Sequence, residues 1–317
     1  MRTIALITDF GTRDPYVAAM KGVIASRCEA RIEDLTHEIA PFDVWEAAFF
    51  LRDVVAFWPE ETIFVCVIDP GVGTSRRILA AEWEGRVFLA PDNGLLHFVL
   101  PEVKRRSQRR SERRSDSPVR LSDDANGEAS QRRSDSPVRL SDDANGEASE
   151  RRSDSPGESS DWRVRPTFVR PTSVRPTSVR PMSVFSVTND AFFLPRGSTT
   201  FHGRDRFAPV AAAIANGTPL DDLGPRISDP VMLDYEPGAI VRIDRFGNCI
   251  TDIVPPATPF AVVIGAQRLD NIRTTYSGEG AFAIVGSTGC IEISVAGGSA
   301  ATELHLRRGD RVTIVPA

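Results

Sequence analysis

Along the first hundred residues, apolar and polar positions alternate between short unbroken apolar runs and amphipathic stretches. Thr3 to Thr8 is an apolar run, and the stretch after it, to about Cys28, places Val17, Met20, Val23 and Ile24 on one helical face. Asp14 followed by Pro15 reads as an N-cap with proline at the first helical position. A second strand is predicted over Arg31 to Leu35. An amphipathic helix follows over Phe42 to Trp58, with Val44, Ala48, Leu51, Val55 and Trp58 in phase and Pro59 as its stop. Ile63 to Ile68 is nearly unbroken and rich in β-branched residues, the pattern of a strand buried on both faces. Ile78–Glu82 and Arg86–Ala90 predict a hairpin around Glu84-Gly85, and Pro91-Asp92-Asn93-Gly94 a turn leading into a short helix over Leu95 to Leu100.

The pattern stops at about Val103. The block RRSDSPVRLSDDANGEAS stands at 113–130 and again at 132–149, with a truncated copy from Arg151, and a Val-Arg-Pro-Thr-Ser pentad recurs from Val164 to Ser183. Neither repeat offers an apolar face, so neither offsets the entropy of ordering itself; the segment reads as a disordered surface insertion. It holds about 18 basic and 13 acidic residues, roughly +5, so the rest of the chain is more acidic than the overall −5. Mixed signs without interleaved aromatics argue against an RNA tether.

Order resumes at Phe185 to Thr188, and Ser198 to Asp205 leads into a helix over Pro209 to Asn216 closed by Gly217. Beyond Asp221, short alternating strands are predicted at 240–243, 249–254, 261–264, 281–285, 290–295 and 311–315, with Arg308-Gly309-Asp310 at a hairpin turn. The fold class expected is α/β: an N-terminal domain with a mainly parallel sheet (1–102 and 184–228), the insertion (103–183), and a small antiparallel β-barrel-like domain (229–317). In a chain of 317 residues, 41% hydrophobic content is ample for such a core.

Composition narrows the function. A pI near 5.5 argues against a general nucleic-acid binder. Cys28, Cys66, Cys249 and Cys290 show neither zinc nor disulfide-framework spacing, and no stretch is long enough to span a membrane, so a cytoplasmic soluble protein without a metal site is expected. Gly71 and Gly73 lack the third glycine of a dinucleotide fingerprint. Neither a Gly-Lys-Ser/Thr phosphate loop nor a Gly-x-Ser-x-Gly elbow occurs.

What remains is chemistry at strand ends. Asp69 follows the buried run and a Pro70-Gly71 turn that presents Arg76 and Arg77, while Asp9 ends the first strand; each is either a turn-forming residue or a functional carboxylate. A carboxylate at such a place can accept hydrogen bonds from both hydroxyls of a ribose. His202 precedes a helix, where it either caps the helix or holds water against a substrate. His37 reads as a loop or core histidine. The set suits a neutral or cationic nucleoside-like ligand better than a polyphosphate, which strand-end carboxylates would repel.

Seven segments in order, ITDFGTRDPYVAAMKG, DLTHEI, IDPGVGTSRR, PDNGLL, TFHGRDRFAP, IDRFGNCITDI and GSTGCIEI, resemble the S-adenosyl-L-methionine (SAM) hydroxide adenosyltransferase family, related to fluorinase and chlorinase. The resemblance implies hydrolysis of SAM to adenosine and L-methionine, with SAM as substrate and no cofactor. It also implies a homotrimer whose sites lie between one subunit's first domain and its neighbour's second. By motif, Asp69, Arg76 and His202 resemble the water-activating triad, Asp9 the ribose carboxylate, Asp244 the contact to the methionine amine, Asn248 that to adenine and Ser287 that to the methionine carboxylate. Phe201 and Gly203 match pocket-lining positions. The halogenating relatives have tyrosine where Asp69 stands and serine or glycine where Gly203 stands, so Asp69 and His202 favour water over halide. They also have arginine where Thr288 stands, a departure that concerns recognition of the carboxylate by the second domain. A SAM-dependent halogenase and a non-catalytic SAM-binding protein are the alternatives.

Overall fold

The computed structural model describes residues 1–100 and 182–317, so the repeats at 113–149 and the pentads up to Arg180 lie outside the described residues. The N-terminal part is a six-stranded sheet of order β2-β1-β3-β5-β4-β6. Its strands are β1 (Thr3–Thr8), β2 (Arg31–Thr36), β3 (Ile63–Val67), β4 (Ile78–Trp83), β5 (Arg86–Pro91) and β6 (Ser183–Ser186). β1 pairs in parallel with β2 and β3, and β3 with β5, while β4 is antiparallel to β5 and β6. The sheet is therefore mainly parallel at its centre.

Side-chain alternation sorts the core into two layers. Ile4, Leu6, Ile63, Val65 and Val67 pack against α1 (Tyr16–Ala25) and α3 (Ala208–Ala215), whereas Ala5, Ile7, Phe64, Cys66 and Ile68 pack against α2 (Val44–Val54). Every residue of β3 is buried, as its unbroken apolar run predicts. The opposite sides of one strand thus feed opposite helical layers, and a one-residue slip would exchange them.

α2 starts at Asp43, whose side chain accepts from the Glu46 N–H (2.9 Å), and Glu46 reaches back to the Ala40 N–H (3.1 Å), a close variant of the capping box. α1 starts otherwise than expected: Pro15, not Asp14, is the cap, without a side-chain hydrogen bond. Its ring fixes φ and removes a donor, so the end is set sterically rather than by a carboxylate. The 84–85 hairpin forms with positive φ at Glu84 and Gly85, the mirror-image turn that matches strand twist. The helix expected over 95–100 is a run of turns, because Asn93 turns its side chain onto the Ile68 carbonyl and the Leu95 N–H.

The C-terminal part is a five-stranded sheet, β11-β12-β13-β8-β7, facing a three-stranded one, β10-β9-β14. The strands are β7 (Ile240–Ile243), β8 (Cys249–Thr251), β9 (Phe260–Ile264), β10 (Gln267–Leu269), β11 (Ile272–Arg273), β12 (Ala281–Val285), β13 (Ile291–Val295) and β14 (Val312–Pro316), with α4 (Ala300–Glu303) before β14. Pairings are antiparallel except β11 with β12. Ile240, Cys249, Val262, Ile264, Ile291 and Ile293 form the shared core. Arg308-Gly309-Asp310 joins α4 to β14 rather than two strands, and the Gly309 N–H donates to Ile240 (2.8 Å).

The two parts meet. Phe49 of α2 packs with Val241 and Ile250, beside Trp45, Phe98 and Tyr235. Arg242 lies 3.8 Å from Asp53, and Arg308 pairs with Asp43. No helix among the described residues is long and apolar enough to cross a membrane.

Candidate active site

β1 and β3 are neighbours in parallel register, Thr8 opposite Val67, so Asp9 and Asp69 emerge side by side at the carboxyl edge of the sheet. Asp9 accepts from the Phe42 N–H (2.8 Å). Burial pushes its carboxyl above the ordinary range, partly offset by backbone hydrogen bonds, and the Asp69 charge adds to the rise. Thr8 and His37 lock the base of this edge: Thr8 Oγ1 lies 2.8 Å from His37 Nδ1, and the His37 carbonyl accepts from the Gly11 N–H. His37 is a buried core histidine, as expected.

The Asp69 turn folds back on itself. Arg76 Nε donates to both carboxylate oxygens of Asp69 (2.9 and 3.0 Å), and Arg76 Nη2 also donates to Asp69 Oδ2. The same Nη2 donates to His202 Nδ1 (2.7 Å), although these residues lie far apart in the chain. Arginine has no lone pair to offer, so Nδ1 is the acceptor and a neutral ring carries its proton on Nε2. His202 is 2% exposed. Burial first, then the charges of Arg206 and Arg76, push its pKa down to about 4 against the opposing pull of Asp69 and Asp205. The imidazole is neutral across the physiological range.

Two buried donors beside this pair, Arg76 Nη1 and His202 Nε2, have no hydrogen-bond partner among the described residues. Unpaired buried N–H groups cost free energy, which an oxygen bearing developing negative charge would recover. The loops that bring them together are closely fitted. A Cβ on Gly73 (φ +81°) would lie 2.7 Å from the Thr199 carbonyl, so the Asp69 turn and the loop before His202 touch backbone to side-chain position.

Phe201 and Gly203 form a wall next to the triad. The Phe201 ring meets Phe10 and Tyr16 edge-on (centroids 5.9 and 5.1 Å), and a Cβ on Gly203 would come within 3.1 to 3.3 Å of Met20, Phe201 and Phe10. Sequence reasoning passed over Phe10 and Tyr16. The signal available was the placement of Phe10 directly after Asp9.

The residues expected from the C-terminal part lie elsewhere in the chain. Asp244 Oδ1 accepts from the Phe246 and Asn248 N–H groups and its Oδ2 from Asn248 Nδ2, each at 2.9 Å. Ser287 is exposed in the turn between β12 and β13. Among the described residues no hydrogen bond or ion pair joins Asp244, Asn248 or Ser287 to Asp69, Arg76 or His202. The sequence-predicted site thus falls into a converged N-terminal set and a separate C-terminal set.

The two sets lie within stretches that match two different domain profiles. The profile of the SAM hydroxide adenosyltransferase N-terminal domain matches residues 4–128, and that of its C-terminal domain matches residues 238–313. The chain belongs to the SAM hydroxide adenosyltransferase family. A protein of that kind from Thermus thermophilus, named (R)-S-adenosyl-L-methionine hydrolase, is 31% identical over 99% of this chain and 100% of its own length. One of the same name from Salinispora arenicola is 28% identical over 98% and 97%. A fluorinase from an Actinoplanes species is 33% identical over only 31% of this chain and 41% of its own. Among solved structures, an uncharacterized conserved protein from Thermotoga maritima superposes with a TM-score of 0.69 at 25% identity, covering 98% of this chain and all of that one. A conserved hypothetical protein from Thermus thermophilus gives 0.64 at 26%, covering 99% and 100%.

Proposed function

We propose that this member of the SAM hydroxide adenosyltransferase family is an enzyme that hydrolyses S-adenosyl-L-methionine to adenosine and L-methionine. The observation that carries the reading is the hydrogen-bonded chain from the Asp69 carboxylate through Arg76 to His202 Nδ1, with unpartnered donors left on the last two. A water held against Arg76 and His202 Nε2–H has its oxygen polarised toward hydroxide, and Asp69 accepts one of its protons in a hydrogen bond that turns a lone pair toward C5′. The C5′–O bond forms as the C5′–S bond breaks. The bonding pair leaves with sulfur as neutral methionine thioether, and the water proton passes by way of Asp69 to solvent.

Charge decides why these residue types serve. Hydroxide and a sulfonium are opposite charges that become neutral groups at the reacting centre, a step favoured where bulk water is excluded. The His202 ring, with Nδ1 committed to the guanidinium, orients the water as a donor and is not its base. Asp69, held by the guanidinium fork, orients the water first and takes its proton only as the C5′–O bond forms, when the oxygen becomes acidic enough to give it up.

In this reading Asp9 holds the ribose hydroxyls, Phe201 and Gly203 line the pocket, and no resident metal or cofactor takes part. Asp244 receives the methionine ammonium, Asn248 faces adenine and Ser287 meets the carboxylate. The separation of the two sets within one chain supports a homotrimer in which a neighbouring copy supplies the second set. The test is product analysis by chromatography of purified protein with SAM, in chloride-free and chloride-containing buffer, for the parent and for Asp69→Ala, Arg76→Ala and His202→Ala. Adenosine and methionine from the parent, strongly reduced in folded variants, are expected. Formation of 5′-chloro-5′-deoxyadenosine, tight SAM binding without product, or near-parent turnover in all three variants refutes the assignment.

A further inference from the structure

Asp205 lies one short turn beyond His202, and its side chain is almost completely buried, at 2% exposure. Its carboxylate accepts from Arg204 Nε (2.6 Å), Arg204 Nη2 (3.0 Å) and the Ser198 N–H (2.6 Å). Its main chain accepts from Leu194 (2.9 Å) and donates to the Phe201 carbonyl (3.1 Å). One residue therefore closes the loop 194–205 from both ends. Gly197 is pressed so close that an added Cβ would lie 3.0 Å from Asp205 Cβ.

The backbone after His202 departs from a regular helix. Residues Gly203–Phe207 form a π turn, in which the Ala208 N–H reaches the Gly203 carbonyl. Gly203, Asp205 and Phe207 are all buried in that turn. Asp205, about half a turn from the other two, is buried by the 194–201 loop, whose Ser198 N–H and Gly197 press against it.

The loop that Asp205 ties down touches both halves of the reaction centre. Its Thr199 carbonyl covers Gly73 of the Asp69 turn, and its last residue before the π turn is His202. Arg204, fixed by the same carboxylate, lies 5.1 Å over the Phe201 ring, which is the pocket wall. Asp205 makes no hydrogen bond to His202, Arg76 or Asp69 among the described residues, so it acts on them through the loop and, for His202, through its charge as well. Arg204→Gln, which keeps that charge, isolates the loop.

We infer that Asp205 is a positioning residue for the proposed hydrolysis, setting the register of His202 against Arg76 and the tilt of Phe201. The inference deepens the reading above and rests on it for its kinetic half. A neutral, isosteric Asp205→Asn side chain keeps an acceptor for the Ser198 N–H but loses the two-pronged grip on Arg204. Displacements of about 1 Å at a reacting group cost roughly a hundredfold in rate, so kcat is expected to fall by about ten- to a hundredfold with little change in KM.

The second readout is independent of turnover. Long-range ¹⁵N correlation spectra of the imidazoles, with His202 assigned from a His202→Gln variant, should show a single Nε2–H tautomer for His202 in the parent. They should show an averaged pair of tautomers in Asp205→Asn. Arg204→Gln, which leaves the carboxylate in place, should move both readouts in the same direction and serves if Asp205→Asn does not fold. An unchanged His202 spectrum in the folded variants, or a lowered melting temperature with parent-like kcat for the folded fraction, overturns the inference. If the parent releases no adenosine from SAM, the reaction reading fails while the spectra still decide the positioning role.

Discussion

The contact between Gly73 and Thr199 supplies a graded perturbation of the proposed site. Gly73→Ala places a methyl group 2.7 Å from a carbonyl oxygen and keeps φ at +81°, where L-residues are strained. The left-handed conformation costs about 1 to 2 kcal/mol by itself. Carbon and oxygen prefer to be well over 3 Å apart, so one of the two loops must retreat by roughly half an ångström. Because Thr199 belongs to the loop that carries His202, that retreat moves the imidazole relative to Arg76. Scaling from about a hundredfold per ångström of misplacement, kcat should fall roughly tenfold. Gly217→Ala is the matched control, with φ at +96° and nothing within 4 Å of the new methyl, on the far end of α3. Both variants should lose about 2 to 8 °C of melting temperature, at about 2 to 4 °C per kcal/mol. Adenosine release and differential scanning calorimetry on the pair separate strain from displacement. If Gly73→Ala turns over within about twofold of Gly217→Ala, the loop contact does not set the site.

Other consequences follow from the same geometry. Arg76→Lys replaces a planar fork by a single ammonium, which cannot hold both Asp69 and His202; kcat should drop by about 10² to 10³ in the adenosine assay, whereas restored activity would show that charge alone suffices. His202 titrates at about 4 in the folded chain against 6.5 ordinarily, so the unfolded chain binds the proton first as pH falls. Parent stability should therefore decline from about pH 6.5 to 4 more steeply than that of His202→Gln, read as the difference between their melting-temperature profiles. Cys28 is half-buried while Cys66, Cys249 and Cys290 are buried, and burial pushes all four thiols up. A thiol reagent followed by peptide mapping should label Cys28 first and the others only on unfolding.

Where the chain was legible, one physical signal dominated locally. β1 and β12 have the bounds that alternation and apolar run length predict, and the unbroken 63–68 run marks the strand at the centre of the sheet. Asp9 and Asp69 could be placed at strand ends because a carboxylate ends each apolar run. Their adjacency could not be read, since it depends on which parallel strands pair. The bond between Arg76 and His202 was likewise implied by resemblance and not by spacing, because it spans the whole insertion. The misses are short: β10, β11 and α4 have three, two and four residues, below the length at which periodicity speaks. Asp205 escaped notice because its neighbours Arg204 and Arg206 make it look like one charge among several on an exposed turn.

The aromatic seam of Trp45, Phe49, Phe98 and Tyr235, with Val241 and Ile250 behind it, locks the N-terminal and C-terminal parts of one chain together. A jaw that opened by swinging one sheet away from the other would have to pull these rings apart into water on every turnover. Motion that accompanies turnover is therefore expected to leave the two parts of one chain fixed against each other, moving as a single body.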